Sequence, residues 1–347
     1  MANRRNLNLA FFSLGFLAIA SSQGAPTVSG ISGTAQSRST ITISGSGFGT
    51  GKAPLIWDDF ETGTLGAQLK AQPQIGNWNA GYAVYTNATA HSGTQSITKA
   101  NTQFGNIEYD LPGATDNFFY ETFWFRYYYT AGDSGGVKLM QLWGNYRVGD
   151  YNPGAFCDGV LSGTGTPWWL TYMALENSGQ TNYTEFTEPA QNVWHRFEII
   201  LKQSGINVAD GRVTIRIDGT TVYDRNPVVT REQAGHYWNL ITMLGGMANF
   251  SKPQATWIDD AYLNNTWARI EIGDNAVYAN AKHREILPAT SWSSNSITAI
   301  FNQGSFGAGQ TVYLFVVDST DTPSPGYPIT IGGTSTRLPP PSNLRVQ

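Results

Sequence analysis

The chain has 347 residues, enough for two domains or for one large β domain with an appendage. Charged residues make up only 13%, against 38 Gly, 11 Trp, 17 Tyr and 17 Phe. That balance excludes a disordered chain and suits half-buried pleated sheets joined by tight turns. The net charge of −4 comes without any basic run, which excludes nucleic acid as the natural partner, because phosphate binding needs clustered Lys and Arg.

Residues 1–20 are expected to be a signal peptide. Arg4 and Arg5 form a positive start, Leu7 to Ala20 an apolar stretch, and Ala18-Ile19-Ala20 a small-residue cleavage site. The stretch is shorter than the roughly 20 residues of a membrane helix, and no later segment qualifies, so no membrane span is expected. An uncleaved anchor is the competing reading. The mature protein is expected to be secreted or extracellular, with the periplasm and the cell surface as other destinations.

The mature region opens on Pro26-Thr27-Val28-Ser29-Gly30, then Ser39-Thr40-Ile41-Thr42-Ile43-Ser44-Gly45-Ser46-Gly47-Phe48-Gly49. β-branched and small polar residues alternate and then break at glycines, which predicts a strand running into a turn. This run resembles the start of an IPT/TIG domain, a small immunoglobulin-like fold. The next strand of that family does not follow. Its equivalents come after position 265, at Ala268-Arg269-Ile270-Glu271-Ile272-Gly273-Asp274, Ser291 to Ile300, Gly309 to Asp318 and Tyr327 to Ile331. The resemblance therefore implies a split module, 26–54 and 266–332, with another domain inserted at an exposed loop. Two unrelated half-domains in series is the alternative, disfavoured because each half would leave strand edges unpaired.

Residues 55–265 form the inserted module. Short strands are punctuated by Gly, Asn and Asp, with no helical period. Trp194 to Lys202 leads into Asp210 to Tyr223, where Asp210-Gly211 and Asp218-Gly219 are turn signals flanking an alternating strand, so a meander is predicted. This meander, with Asp58-Asp59-Phe60-Glu61 early and Trp257-Ile258-Asp259-Asp260 late, resembles the laminin-G-like and polysaccharide-lyase-like jelly rolls. The expected fold class is thus all-β: a concanavalin-like jelly-roll sandwich inserted into a small immunoglobulin-like β-sandwich. Residues 333–347 read as a Pro-rich, extended tail.

The richest strand is Phe119 to Tyr129. Alternation puts Phe119, Glu121, Phe123, Phe125 and Tyr127 on one face, expected to be core. Tyr120, Thr122, Trp124, Arg126 and Tyr128 share the other, expected to be an open platform for sugar rings, with burial of both faces as the bland alternative. In Val137 to Gly144, Gln141 and Trp143 share a face. Similar lyases carry Gln-x-His on the equivalent strand, where Gln neutralises a uronate carboxylate and His abstracts a proton. Here Gln141 matches and Trp143 stands in place of the His, so that route lacks its base. The family's Arg-x-Glu-x-Arg strand is absent, with Arg126 a partial match. A lyase would then need Tyr128 or Tyr172, or one of the distant histidines, as base. The Glu-x-Asp-x-Glu strand of retaining jelly-roll hydrolases is absent. His195 reads as structural, and His91, His236 and His283 are scattered without metal-ligand spacing.

Cys157 is the one cysteine, so no intramolecular disulfide is possible and a structural role is expected. Asp59, Glu61 and Asp260, with their neighbours Asp58 and Asp259, form the best metal hypothesis. First and last strands of a jelly roll lie close, and carboxylates suit a structural calcium ion; solvated turn residues are the alternative. No other cofactor is expected. Asn87, Asn182, Asn249 and Asn264 begin short glycosylation-type patterns.

The favoured function is a secreted polysaccharide-binding or adhesion protein that presents Tyr120, Trp124, Arg126, Tyr128, Gln141 and Trp143 to an extracellular polysaccharide. The alternatives are a uronate-specific polysaccharide lyase, and a surface or appendage subunit that self-assembles through strand edges.

Overall fold

The computed structural model describes residues 24–335 except 70–72, 80, 101–106, 112–117, 131–135, 145–151, 162–166, 175–180, 233, 235–236 and 249–253. At 100, 136–137, 143–144, 152–161, 167–174, 181–185, 244–248 and 334–335 only the backbone course is described. The expected signal peptide and nearly all of the expected tail lie outside the described residues.

Long alternating segments without a helical period form strands, and the one described helical element is the 3-10 turn Tyr278–Asn280. They build an all-β molecule of two packed sandwiches. The larger has an eight-stranded antiparallel sheet in the order Thr220–Val228, Gly211–Ile217, His195–Lys202, Phe118–Tyr129, Gln254–Asn264, Ser96–Ala100, Val84–Thr86, with Ile56–Asp58 also pairing to Gln254–Asn264. Its second sheet has six strands, ordered Thr181–Phe186, Pro167–Ala174, Asn152–Leu161, Gly136–Gly144, Trp238–Ala248, Ile107–Asp110. This is the jelly roll.

The predicted core face of Phe118–Tyr129 is the observed one: Phe119, Phe123, Phe125 and Tyr127 join Phe197, Ile199, Ile215 and Leu142 in the core. Glu121 points the same way, fully buried, with neither carboxylate oxygen partnered. Burial alone pushes its pKa well above the usual range, so it is held as the neutral acid. The predicted meander forms as His195–Lys202, Gly211–Ile217 and Thr220–Val228. Its tight turn places Asp218 and Gly219 at φ of 48° and 64°, the left-handed pair that a two-residue hairpin requires.

The smaller sandwich packs a five-stranded sheet, ordered Ala289–Trp292, Ser296–Ile300, Thr40–Ser46, Thr27–Thr34, Thr334–Ser335, against a four-stranded one, ordered Arg284–Leu287, Arg269–Gly273, Thr311–Val317, Tyr327–Thr330. The early strand Thr40–Ser46 finds its second neighbour across the jelly roll, in register from Thr40 opposite Ile300 to Ser44 opposite Ser296. Ile31, Ile41, Ile43 and Phe48 from the early segment share one core with Ile270, Ile272, Leu314 and Val316 from the late one. The jelly roll leaves and rejoins this sandwich at adjacent points, since Ile56–Asp58 pairs with Ala261–Leu263 and the Leu55 N–H donates to the Leu263 carbonyl.

Candidate functional site

The outward face of the eight-stranded sheet is where the sequence places its sugar platform. The small sandwich covers most of it. Tyr120 is fully buried in a seam cluster with Trp57, Ile200, Tyr262, Trp267 and Ile286. Trp124 is buried too: its indole stacks on His91 with centroids 3.7 Å apart, and Nε1 donates to Glu285 Oε2 at 2.8 Å. Both therefore belong to a joint between sandwiches, which corrects the expectation of an open face. Aromatic rings with one polar edge serve equally well to fill a dry seam and to hold a partner's carboxylate there.

Charges line the same seam. His195–Lys202 contributes Arg196-x-Glu198, and Arg269–Gly273 contributes Arg269-x-Glu271 from the opposing sandwich. Arg196 reaches Glu271 at 2.5 Å, Arg284 reaches Glu198 at 2.5 Å, and the Arg196 guanidinium also donates to the Tyr120 oxygen at 3.1 Å. Tyr120 in turn donates to Glu198 at 2.9 Å. Asp321 accepts from Arg269 at 2.9 Å and from Arg212 at 3.1 Å. Burial would raise the Glu198 pKa, but Arg284 and Arg196 pull it down to about 2, and Glu271 is likewise held below the usual range by Arg196 and Arg269. The carboxylates are paired within the seam, while one terminal nitrogen of Arg196 and the Nε of Arg284 stay buried without a hydrogen-bond partner.

Beyond the edge of the small sandwich the sheet stays accessible. Arg126, Tyr128 and Trp257 are half-buried there. Trp257 sits directly opposite Arg126 in the ladder, with the guanidinium 5.7 Å from its ring centroid, and Tyr128 lies at 5.8 Å from the same ring. Arg126 donates to Thr89 Oγ1 at 2.8 Å, while its buried Nε has no acceptor. Two rings, a cation and a hydroxyl thus share one patch. The sequence reading missed Trp257, although its alternation with Ile258 and Asp259 in a terminal strand is visible in the sequence.

Gln141, Trp143 and Tyr172 stand on the six-stranded sheet, across the jelly-roll core from Arg126 and Tyr128. The expected six-residue platform is therefore split in two, because sheets of a sandwich lie about 10 Å apart with their outer faces pointing away from each other. Arg126 and Gln141 do not meet around one carboxylate. The register does align Gln141 and Tyr172: both pair with Phe156 of the intervening strand. Thr242 continues that row beside Gln141. Gln141 is buried and its Nε2 donor has no partner. The side chains of Trp143, Tyr172 and Cys157 lie outside the described residues, as do those of Asn182 and Asn249.

Of the acidic residues expected at a calcium site, Asp59 accepts from Arg38 at 2.9 Å, and Glu61 accepts from the Thr94 and Gln95 main-chain N–H groups at 2.6 Å. Asp260 is buried with both carboxylate oxygens unpartnered, at φ 49° on a bulge of the strand Gln254–Asn264. Burial first, then Asp259, raises its pKa well above the usual range. Among the described residues these acids do not come together as a cluster of metal-ligating atoms, and Asp59 and Glu61 are already engaged by protein donors.

No family model matches this sequence, and no curated protein matches it. Among solved structures, an endo-β-1,4-glucuronan lyase from the fungus Trichoderma reesei superposes with a TM-score of 0.44 at 15% identity, over 62% of this chain and 97% of that one. The alginate lyase Aly36B gives 0.44 at 13%, over 61% and 97%. The binding domain of botulinum neurotoxin DC, solved in complex with rat synaptotagmin II, gives 0.43 at 12%, over 76% and 71%. Among the described residues no helix is long and apolar enough to cross a membrane.

Proposed function

We propose that this protein is a secreted polysaccharide-binding protein that takes an acidic glycan on the patch formed by Arg126, Tyr128 and Trp257. The observation that carries the reading is the half-buried Arg126 guanidinium, set against the Trp257 ring with a buried Nε donor left without an acceptor. A sugar ring offers an apolar face to the tryptophan, and its carboxylate or sulfate offers an acceptor to the accessible part of the guanidinium. A bidentate acid contact of this kind distinguishes uronate or sulfated polymers from neutral ones.

The row that aligns Gln141 with Tyr172 supports a second reading, a β-eliminating lyase. There the unpaired Gln141 amide would donate to a uronate carboxylate, and Tyr172 would take the proton α to it. Tyr128, on the opposite sheet, drops out as a base for that site.

One experiment separates the two. The purified protein is incubated with alginate, glucuronan, pectate, heparin and neutral glucans, and binding and unsaturated-product absorbance are read on the same samples. Retention of an acidic polymer, weakened roughly tenfold or more by Arg126→Gln or Trp257→Ala in a folded variant, supports the patch. Product formation abolished by Tyr172→Phe and untouched by Trp257→Ala would replace the binding reading with the lyase.

A further inference from the structure

The seam between the sandwiches holds a second polar cluster, separate from the arginine–glutamate network and from the Arg126 patch. His91 comes from the jelly roll, in the loop before Ser96–Ala100. His283 and Glu285 come from the small sandwich, at the start of Arg284–Leu287. The Nε2 atoms of the two imidazoles converge on a single oxygen, Glu285 Oε1, at 2.8 Å from His91 and 2.6 Å from His283. All three donor atoms lie within 4.8 Å of one another.

Each member is held in place. Trp124 fixes the other carboxylate oxygen of Glu285 and stacks on the His91 ring, 12° from parallel. Phe306 stacks on the His283 ring, with centroids 4.1 Å apart and 14° from parallel. The main-chain N–H of His91 donates to Asp259 Oδ2 at 2.8 Å, which anchors its loop to the sheet. On the outer side the Ser305 N–H approaches Glu285 Oε1 at 3.3 Å, and the Ser305 hydroxyl lies 3.3 Å from His283 Nε2. A Cβ on Gly304 would fall 2.0 Å from the Glu285 carboxyl carbon, so this loop closes over the carboxylate only because position 304 is glycine.

We propose that His91, His283 and Glu285 form a zinc site that clamps the small sandwich onto the jelly roll. Two imidazoles and one carboxylate are the donor set zinc accepts, whereas calcium and magnesium prefer oxygen alone. Zinc at this point would take both Nε2 atoms and Oε1, with water or the Ser305 hydroxyl in the fourth position. Zinc would take the Nε2 lone pair of each imidazole, leaving the ring proton on Nδ1, and Glu285 would bind as the carboxylate. The stacked rings and the Trp124 contact fix the ligands before the ion arrives, which reduces the entropy lost on binding. Because the ligands come from both sandwiches, the ion ties its binding free energy to their association.

The test uses the full chain carrying Cys157→Ser, so that the thiol contributes no metal binding. The protein is stripped of metal and titrated with ZnCl₂ by calorimetry, in parallel with His283→Gln, chosen because the His283 side chain is 31% exposed, the most accessible of the three ligands. We expect one zinc per chain, a rise in melting temperature on loading, and affinity at least ~100-fold weaker in His283→Gln, since losing a ligand costs at least as much as losing a group that orients one. Cobalt substitution should give the visible absorption bands of a tetrahedral site in the parent and not in the variant. His91→Gln, with its fold checked by circular dichroism, provides the second arm from the other sandwich. Equal zinc affinity in the parent and either variant, or no binding by the parent, would overturn the assignment.

Discussion

Asp58 shows how one buried carboxyl sets a pH response. It lies on the first jelly-roll strand, 1% exposed, accepting from the Trp78 indole at 2.8 Å and from the Phe60 N–H at 2.9 Å. Both bonds favour the carboxylate, yet burial outweighs them and raises the pKa from 3.8 to about 7. A carboxyl whose folded pKa is raised stabilises the fold fully below its unfolded value, and that contribution is lost as pH rises towards 7. The shift corresponds to on the order of 4 kcal/mol, taking about 1.4 kcal/mol per pH unit. Asp58→Asn should therefore flatten the part of the stability profile that falls between pH 4 and 7. Urea unfolding of both proteins across that range checks it; parallel profiles would show that Asp58 is ionised in the folded state. Residue identity in the sequence flagged Asp58 as a turn or metal candidate. Its role in holding Trp78 depends on packing that no local pattern encodes.

At the scale of the strand, the alternation that predicted two faces was correct, and the use of one face was not. In His195–Lys202 the Arg196-x-Glu198 spacing puts both charges on one face, and Arg269-x-Glu271 does the same in Arg269–Gly273. Each supplies what the other lacks, and together they are buried. Removing one charge from such a network costs about 3–5 kcal/mol, because the partner charges stay buried without compensation. Glu271→Gln takes from Arg196 its 2.5 Å carboxylate and leaves Arg269 with Asp321 as its remaining one, so it should lower the melting temperature well beyond what Asp224→Asn, at an exposed position, does. Scanning calorimetry of the two variants checks this. Removing two charges at once, as in Arg196→Met with Glu271→Met, should cost less than the single change. The same reasoning explains Trp124: its indole nitrogen, expected to meet a sugar, meets Glu285 instead.

For the whole molecule, the chain passes between sandwiches twice, and the seam buries Trp57, Tyr120, Tyr262 and Trp267. Fully burying a large apolar side chain stabilises by about 1.5–3 kcal/mol, so the two sandwiches are coupled by several such residues in addition to the charge network. The jelly roll expressed alone, residues 52–266, should expose this aromatic and charged face and become less soluble and less stable than it is within the full chain. Comparing its denaturant midpoint with that of the complete protein, followed by tryptophan fluorescence, tests the coupling. Equal midpoints would mean that the seam contributes nothing to the jelly roll. With one cooperative unit, the full chain should melt in a single calorimetric transition.

What the sequence determined by itself follows from periodicity and punctuation. Period-2 alternation assigned Phe119, Phe123, Phe125 and Tyr127 to the core, and Asp218-Gly219 to its hairpin. These are local rules, set by side-chain direction and backbone sterics, and they hold whatever the surroundings. The pairing of Thr40–Ser46 with Ser296–Ile300 was legible only through the resemblance to a small immunoglobulin-like module, which implied later strands beyond position 265. Only the tertiary structure decided what lies against each outward face. It covered Tyr120 and Trp124, left Arg126 and Trp257 accessible, and put Gln141 on the opposite sheet from Arg126. It also joined His91 to Glu285, 194 positions away. Alternation gives every strand two faces, but the packing of one sandwich on another is a long-range contact that no spacing within a strand reports.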